Sequence, residues 1–379
     1  FEGVSQGRKI PAERMGQIID GAPYTAEEAK ERNLVDRVGY MDELIAVLIP
    51  DEKDEGQGMV NALDYLYDAS HENLNQVIKK ESKLADKDKE NNSVALVYVS
   101  GLIISDDPSG ESAALGERMA YASDISGAIT DAALDDSIAA IIVRVDSPGG
   151  SPSASEAIRR SIELAKSKGK YVVVSMGSEA ASGGYWVSVD ADKIYAQPGT
   201  LTGSIGVFGG KATFAGLSQK LGVNWDSVAL GGNAGLWSPI HPYSDEGRAS
   251  VSRMLDDVYD AFIARVAKGR SFSPEVVESM AGGRVWTGRQ AMERKLIDAY
   301  GGLRQAKEDV AKKLGVADVK DLDLILMPEP GEPVEEILGM LAATGQVRNY
   351  FKPLVQAIVF ERNPSWSAVR MPSEFQVWK

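Results

Sequence analysis

Three short turns rich in small residues hold the groups that could do chemistry in this sequence. Residues 180–186 read Ala-Ala-Ser-Gly-Gly-Tyr-Trp and follow an apolar run of strand length. A serine followed by two glycines at a strand-to-helix turn exposes its hydroxyl at a helix N-terminus, where free amides favour negative charge. The pattern predicts Ser182 as a nucleophile and the amide of Gly183 as an oxyanion donor. The alternative is that Ser182 only caps the following helix.

A second turn, residues 146–151, reads Asp-Ser-Pro-Gly-Gly-Ser and also follows an apolar run. Two adjacent glycines let the backbone approach a substrate closely and leave amide groups free to face an anion. Gly149 and Gly150 are therefore predicted as further oxyanion donors. The alternative is an ordinary Pro-Gly-Gly connection between a strand and a helix.

The third turn, residues 201–207, reads Leu-Thr-Gly-Ser-Ile-Gly-Val and places the hydroxyl of Ser204 among glycines. All three turns follow predicted strands. Because active sites of α/β sheets gather at the carboxyl ends of the strands, we expect the three turns to meet in one site.

The elements that must position these turns alternate between strand and helix from residue 93 onwards. The predicted strands are Val94–Val99, Ile138–Val145, Tyr171–Ser175 and Lys193–Ala196, and the predicted helices are Ser123–Leu134, a helix ending near Lys168, and Asp245–Lys268. Strands alternating with helices of this length predict βαβ units with a parallel sheet, which is an α/β fold.

An internal repeat divides the chain. Seven residues recur at an offset of 262, as from Arg8 to Arg270; they are Gly7, Arg8, Thr25, Ala29, Leu34, Asp36 and Gly39. We therefore expect residues 1–50 to be the tail of a first tandem copy and 51–92 a polar linker. Residues 93–310 form the complete unit with the nucleophile, and 311–379 a C-terminal extension. The alternative is two unrelated helix-turn-helix segments.

Composition excludes several classes of function. The net charge of −14 argues against a sequence-independent grip on nucleic acid, which needs clustered basic residues. The absence of cysteine excludes disulfides and thiol nucleophiles, and the two histidines leave little for a zinc site or a histidine triad. We therefore expect no cofactor and no metal. No apolar run is long enough for a transmembrane helix.

The three motifs, together with the Trp-Thr-Gly-Arg-Gln-Ala segment at residues 286–291, resemble the signal peptide peptidase A (protease IV) family. The resemblance implies a crotonase/Clp-protease-like superhelix and a Ser-Lys dyad endopeptidase that degrades cleaved signal peptides. In that family the residue matching Ser182 is the nucleophile. The residue matching Ser204 orients the lysine base, and Gly149, Gly150 and Gly183 match the oxyanion turns.

The lysine base is not found at its family position in this sequence. Single-repeat members carry it just before a Ser-Pro pair, where this chain has Ala234. Two-repeat members take it from the first repeat, so we expect it upstream of Phe1 and the chain alone to be nearly inactive. Within the chain, Lys211 and His241 are the alternative bases.

The resemblance also implies a homotetramer, anchored N-terminally to the bacterial inner membrane and facing the periplasm. Because signal peptides are apolar and extended, we expect a hydrophobic groove. Its candidate residues are Tyr185, Trp186, Val207 and Phe208. Two other classes stay open, a crotonase-type acyl-CoA enzyme and a non-catalytic half of a ring scaffold.

Overall fold

The computed structural model describes residues 2–48, 92–105 and 119–328. The strands are β1 (Ser93–Ser100), β2 (Leu102–Ile104), β3 (Met119–Tyr121), β4 (Ile138–Ser147), β5 (Tyr171–Ala181), β6 (Lys193–Ala196), β7 (Leu201–Gly203), β8 (Val285–Thr287), β9 (Ala299–Tyr300) and β10 (Asp323–Met327). The helices are α1 (Glu2–Arg8), α2 (Ala12–Gly21), α3 (Ala26–Glu31), α4 (Met41–Leu48), α5 (Ala122–Leu134), α6 (Pro152–Ser167), α7 (Gly183–Ser188), α8 (Ala215–Lys220), α9 (Asp245–Arg270), α10 (Pro274–Met280), α11 (Gly288–Glu293) and α12 (Leu303–Leu314).

A parallel sheet forms the centre of the unit, with strands in the order β10-β1-β4-β5-β6-β9. A second layer begins where these strands end: β2 pairs with β3, Ile103 bridges to Gly150, and β7 pairs with the last residues of β5. The chain therefore passes repeatedly from a central strand through the second layer to a helix. This superhelix confirms the predicted α/β fold.

Alternation along the strands separates two apolar layers, because successive side chains of a strand point to opposite faces. Val143, Val145 and Val174 belong to the larger core cluster, which includes residues of α5, α6, α7 and α9. Ile142 and Val173 belong to the smaller cluster, with residues of α12. Both faces of the central strands are thus covered, which explains their continuous apolar sequences.

Two predicted boundaries are wrong. β5, which was predicted from the sequence as Tyr171–Ser175, continues to Ala181 because its last residues pair with β7. The unit also continues past residue 310, since α12 spans that position and β10 pairs with β1 at the sheet edge. The expected linker, apart from Asn92, and the extension after residue 328 lie outside the described residues.

The internal repeat recurs as local structure. An ion pair joins Arg8 to Asp36 at 2.8 Å, and its counterpart joins Arg270 to Asp298 at 2.7 Å. A capping box begins α3, with Thr25 as its first residue, and another begins α11 with Thr287. Arg32 lies 4.1 Å from the ring centre of Tyr24, and Arg294 lies 3.7 Å from that of Trp286. Residues 2–48 and 264–310 are therefore two copies of one structural motif.

The two ion pairs are expected to differ in what they contribute to stability. The side chain of Arg270 is 9% exposed, whereas that of Asp36 in the other pair is 84% exposed. We expect Arg270→Ala to lower the free energy of unfolding by about 2 kcal/mol, because it removes the hydrogen bonds of a nearly buried guanidinium to the Asp298 carboxylate and the Lys295 carbonyl. Arg8→Ala should cost about 1 kcal/mol at most, since solvent screens the pair. Denaturant unfolding of both variants tests this, and equal losses would contradict it.

Candidate active site

The nucleophile candidate lies in the turn between β5 and α7. Ser182 has φ 51° and ψ −118°, a backbone conformation rarely adopted by residues other than glycine. Its amide donates to the carbonyl of Gly203 at 2.9 Å, and its carbonyl accepts from the amide of Trp186 at 2.9 Å. Its side chain makes no capping hydrogen bond. The hydroxyl is therefore not used to begin the helix, which removes the capping alternative.

The turn after β4 packs directly against Ser182. A Cβ atom built on Gly149 would lie 2.8 Å from the Cβ of Ser182 and 2.6 Å from the amide nitrogen of Gly183. A Cβ atom built on Gly183 would lie 3.1 Å from the amide nitrogen of Gly150. Only glycine permits this approach of two backbones. The sequence pattern that suggested oxyanion turns thus corresponds to a physical contact between them.

The three glycine amides predicted as donors differ in their hydrogen bonds. The amide of Gly149 donates to the hydroxyl of Ser147 at 3.1 Å. For Gly150 and Gly183, no acceptor is found within the described part of the chain. The structure therefore leaves Gly150 and Gly183 as the free donors beside Ser182, while Gly149 serves as the close-packing residue.

Ser204 lies at the end of the neighbouring strand. β7 runs parallel to the end of β5, with Gly203 opposite Ala181, so Ser182 and Ser204 follow paired residues. Ser204 also has a positive φ, 48°, and its amide donates to the carbonyl of Arg284 at 2.8 Å. The structure thus brings the two serines to one edge of the sheet, as the motifs predicted.

Neither alternative base forms a hydrogen bond with Ser182. The amine of Lys211 donates to the carbonyl of Ser238 at 2.9 Å and lies 4.5 Å from the ring centre of Tyr243. His241 lines a small cavity with the same loop. Ala234, which stands where the single-repeat members of the resembled family carry the lysine, is exposed.

Two of the four expected groove residues lie in the core instead. Tyr185 is fully buried and donates its hydroxyl hydrogen to the carbonyl of Leu296 at 2.9 Å. Trp186 is buried against Phe262, with ring centres 4.5 Å apart. The assignment of these two side chains to the groove was wrong because every residue of the short helix α7 is buried. Val207 is half-buried and Phe208 is 97% exposed, so both stay available to a substrate.

A carboxylate that the sequence reasoning did not identify ties the site to the rest of the chain. Glu156, on the helix that follows the second turn, accepts hydrogen bonds from the indole of Trp186 at 2.7 Å and from Arg159 at 2.8 Å. It also accepts from Arg265 on α9 and from the hydroxyl of Tyr40. Burial acts to raise the pKa of Glu156, but hydrogen bonds from Arg159 and Arg265 outweigh it and lower the pKa to about 2.

The same cluster holds the N-terminal copy against the complete unit. Arg160 on α6 forms an ion pair with Asp42 at 2.6 Å and lies 4.3 Å from the ring centre of Tyr40. A periodic sequence pattern could not reveal this contact, because the partners are more than 100 residues apart. Ser147, whose hydroxyl accepts the hydrogen bond of the Gly149 amide, was also not identified from the sequence. Its only signal there is its place in the Asp-Ser-Pro-Gly-Gly motif.

No group of side chains suited to holding a metal ion occurs within residues 2–48, 92–105 and 119–328. Over the same ranges, no helix combines the length and the apolar character needed to cross a bilayer.

The sequence is similar to those of several known proteins. Protease 4 of Salmonella typhi is 40% identical over 231 residues, which cover 61% of this chain and 36% of that protein. The chloroplastic serine protease SPPA of Arabidopsis thaliana is 30% identical over 348 residues, 91% of this chain and 49% of that protein. The chain therefore spans about half or less of these relatives.

A solved structure, a membrane-bound stomatin-specific protease, is similar with a TM-score of 0.40 and 15% identity, over 63% of this chain and 99% of that one. The model of peptidase family S49 matches residues 1–54 and 164–317, more than half of the sequence. This chain belongs to peptidase family S49.

Proposed function

We propose that this chain supplies the nucleophile of a serine endopeptidase whose lysine base comes from a second α/β unit. The observation that carries the proposal is the juxtaposition at the sheet edge. Ser182 has a positive φ and its hydroxyl does not cap the following helix. Its Cβ packs against Gly149, where the turns that carry the amides of Gly150 and Gly183 meet.

The reaction is acyl transfer. The Ser182 hydroxyl oxygen attacks the carbonyl carbon of the scissile peptide bond, and its proton passes to the lysine amine. The amides of Gly150 and Gly183 hold the resulting oxyanion. When the tetrahedral intermediate collapses, the peptide C–N bond breaks and the leaving amine takes the proton from the lysine. Water then attacks the acyl-enzyme by the same sequence and restores the serine.

The position of Ser204 supports a lysine as the base. Its hydroxyl lies one strand away from the nucleophile and can accept a hydrogen bond from an ammonium group that enters there. Among the residues that the structure describes, no lysine contacts either serine through a recorded hydrogen bond. We therefore propose a lysine of a second unit as the base, as the family resemblance implies, rather than Lys211 or His241.

The surface of the N-terminal copy supports such a unit. In the C-terminal copy, Ile297 and Ala306 pack into the core and are 2% and 0% exposed. At the matching positions of the N-terminal copy, Val35 and Leu44 are 36% and 49% exposed. An α/β unit similar to residues 93–268 would cover this apolar face in the way that the complete unit covers its own tail.

The substrate we propose is an apolar, extended peptide, with signal peptides left in the membrane after secretion as the natural class. The segment that follows Ser204 in the chain supports this, because it exposes many large apolar side chains; they are Phe208, Phe214, Leu217, Leu221, Val223, Trp225, Val228, Leu230 and Trp237. We further propose a homotetramer at the bacterial inner membrane with its site facing the periplasm.

Labelling with a peptidyl diphenyl phosphonate, which reacts with an activated serine hydroxyl, tests the proposal. The chain joined to the preceding lysine-bearing unit should label about 100-fold faster or more than the chain alone, which is the usual contribution of a general base. Ser182→Ala should abolish labelling, and Ser178→Ala, a change at an exposed serine nearby, should not. Labelling that persists in Ser182→Ala would refute the assignment. No labelling of either form would favour a non-catalytic scaffold.

A further inference from the structure

Ser147, the last residue of β4, makes hydrogen bonds that reach beyond its own turn. Its side chain is fully buried. The hydroxyl donates to the carbonyl of Gly101 at 2.6 Å and accepts from the amide of Gly149 at 3.1 Å. A buried hydroxyl that is both donor and acceptor fixes the relative position of the two backbone segments that it joins.

The segment at Gly101–Ile103 holds the turn at two further points. The amide of Ile103 donates to the carbonyl of Gly149, and the amide of Ser151 donates to the carbonyl of Ile103, both at 2.8 Å. Together with the two hydrogen bonds of the Ser147 hydroxyl, these two bonds fix the peptide groups on both sides of Gly150. The amide of Gly150 is the one group of this turn left without an acceptor among the described residues.

Ser147 also contacts the second donor turn. A Cβ atom built on Gly184 would lie 2.8 Å from the carbonyl oxygen of Ser147 and 3.4 Å from its Cβ. The first turn of α7, which carries the free amide of Gly183, therefore packs on the backbone of Ser147. One residue thus touches both backbone segments that carry the free amides.

We propose that Ser147 is a positioning residue for the oxyanion hole. Its hydroxyl accepts the hydrogen bond of the Gly149 amide, so that the amide of Gly150 is the one left free to bind the oxyanion. Its backbone packs against the turn that carries the free amide of Gly183. This inference rests on the proposed function, because it assigns the free amides to the oxyanion of an acyl-transfer reaction. It predicts that losing the hydroxyl impairs the chemical step rather than substrate binding.

The test uses the chain joined to the preceding lysine-bearing unit, in which labelling by the peptidyl phosphonate is expected to depend on Ser182. We expect Ser147→Ala to lower the maximal labelling rate about tenfold or more, with the half-saturating probe concentration unchanged, since small displacements of reacting groups have large effects on rate. Ser161→Ala is the matched control, because Ser161 is also buried and bonds a backbone carbonyl, that of Ile158, at 2.7 Å within α6.

Amide hydrogen exchange provides a readout that does not depend on reaction. Ser147→Ala should speed exchange at Gly149 about tenfold or more, since the amide loses its acceptor. Ser147→Cys, which keeps a weak acceptor in nearly the same volume, should lie between wild type and alanine in both measurements and serves if the alanine variant does not fold.

If the wild type labels and Ser147→Ala labels at the same rate, this inference is overturned and the proposed function stands. A rise in the half-saturating concentration without a fall in maximal rate would also overturn it. A wild-type protein that never labels, although the lysine-bearing unit is present, would overturn the proposed function and this inference together.

Discussion

Replacing Gly149 by alanine is expected to reduce phosphonate labelling of Ser182 by about 100-fold or more, the effect of losing an oxyanion donor. Gly149 has φ 109°, a conformation that side chains rarely adopt, and it lies under the nucleophile. Its added Cβ would stand 2.6 Å from the amide nitrogen of Gly183 and 3.0 Å from the carbonyl oxygen of Ala181. Both contacts are with backbone, so the two turns must move apart.

The control for this prediction is Gly127→Ala, in the middle of α5. A Cβ built on Gly127 meets no atom within 4 Å, and alanine favours a helix over glycine by about 1 kcal/mol. Gly127→Ala should therefore label like the wild type and unfold at the same or a higher temperature. Circular dichroism of Gly149→Ala should keep the wild-type helix content. If Gly149→Ala labels within a factor of two of the wild type, close packing of the Gly149 turn against the Gly183 turn is not needed for reaction at Ser182.

The second large effect is expected from Glu156→Gln, as a loss of about 3–5 kcal/mol in the free energy of unfolding, the usual result of removing one partner of a buried ion pair. The glutamine cannot balance the charges of Arg159 and Arg265, and Arg159 has a side chain only 1% exposed. Glu278→Gln, a change at an exposed glutamate, is the control and should unfold like the wild type.

The effect of Glu156 should also depend on pH. Its folded-state pKa of about 2 lies below the ordinary value of 4.5. A carboxylate with a lowered pKa stabilises the fold above its unfolded pKa, and this stabilisation is lost as the pH falls through the folded pKa. The difference in unfolding free energy between wild type and Glu156→Gln should therefore be full at neutral pH and shrink between about pH 4.5 and pH 2.

Glu163, whose pKa is also lowered to about 2 because interactions with Lys268 and Arg159 outweigh its burial, is present in both proteins and titrates in the same pH range. A difference that stays constant from neutral to acid pH would mean that the charge of Glu156 does not act as described. Since Tyr40 bonds Glu156, the variant should also expose residues 2–48 to limited proteolysis.

The sequence allowed the strands and the turn that holds Ser182 to be predicted because both leave local signals. Buried parallel strands are continuous apolar runs, and the turn around Ser182 needs glycines that the chain displays. The repeat was visible because Arg8, Thr25 and Asp36 make local contacts that their counterparts also make. These features depend on residues that are close in sequence or recur at a fixed offset.

What could not be predicted depends on contacts between distant residues. The sequence left Tyr185 and Trp186 open between groove and core, and only the packing of α7 between other helices decides between them. The position of β10 beside β1 is a pairing across 230 residues, as from Ser93 to Asp323. The buried contacts of Glu156 could not be predicted, because a glutamate on an amphipathic helix normally faces solvent.

The backbone conformation of the two serines has a consequence for how this enzyme family can change. Ser182 and Ser204 each hold a positive φ that costs about 1–3 kcal/mol for a residue with a side chain. Glycine at either position would relieve that cost and yield a more stable protein with no reactive hydroxyl. Selection for stability alone would therefore remove the two hydroxyls from this sheet edge, and a copy of the unit that no longer needs them would be expected to acquire glycine there first.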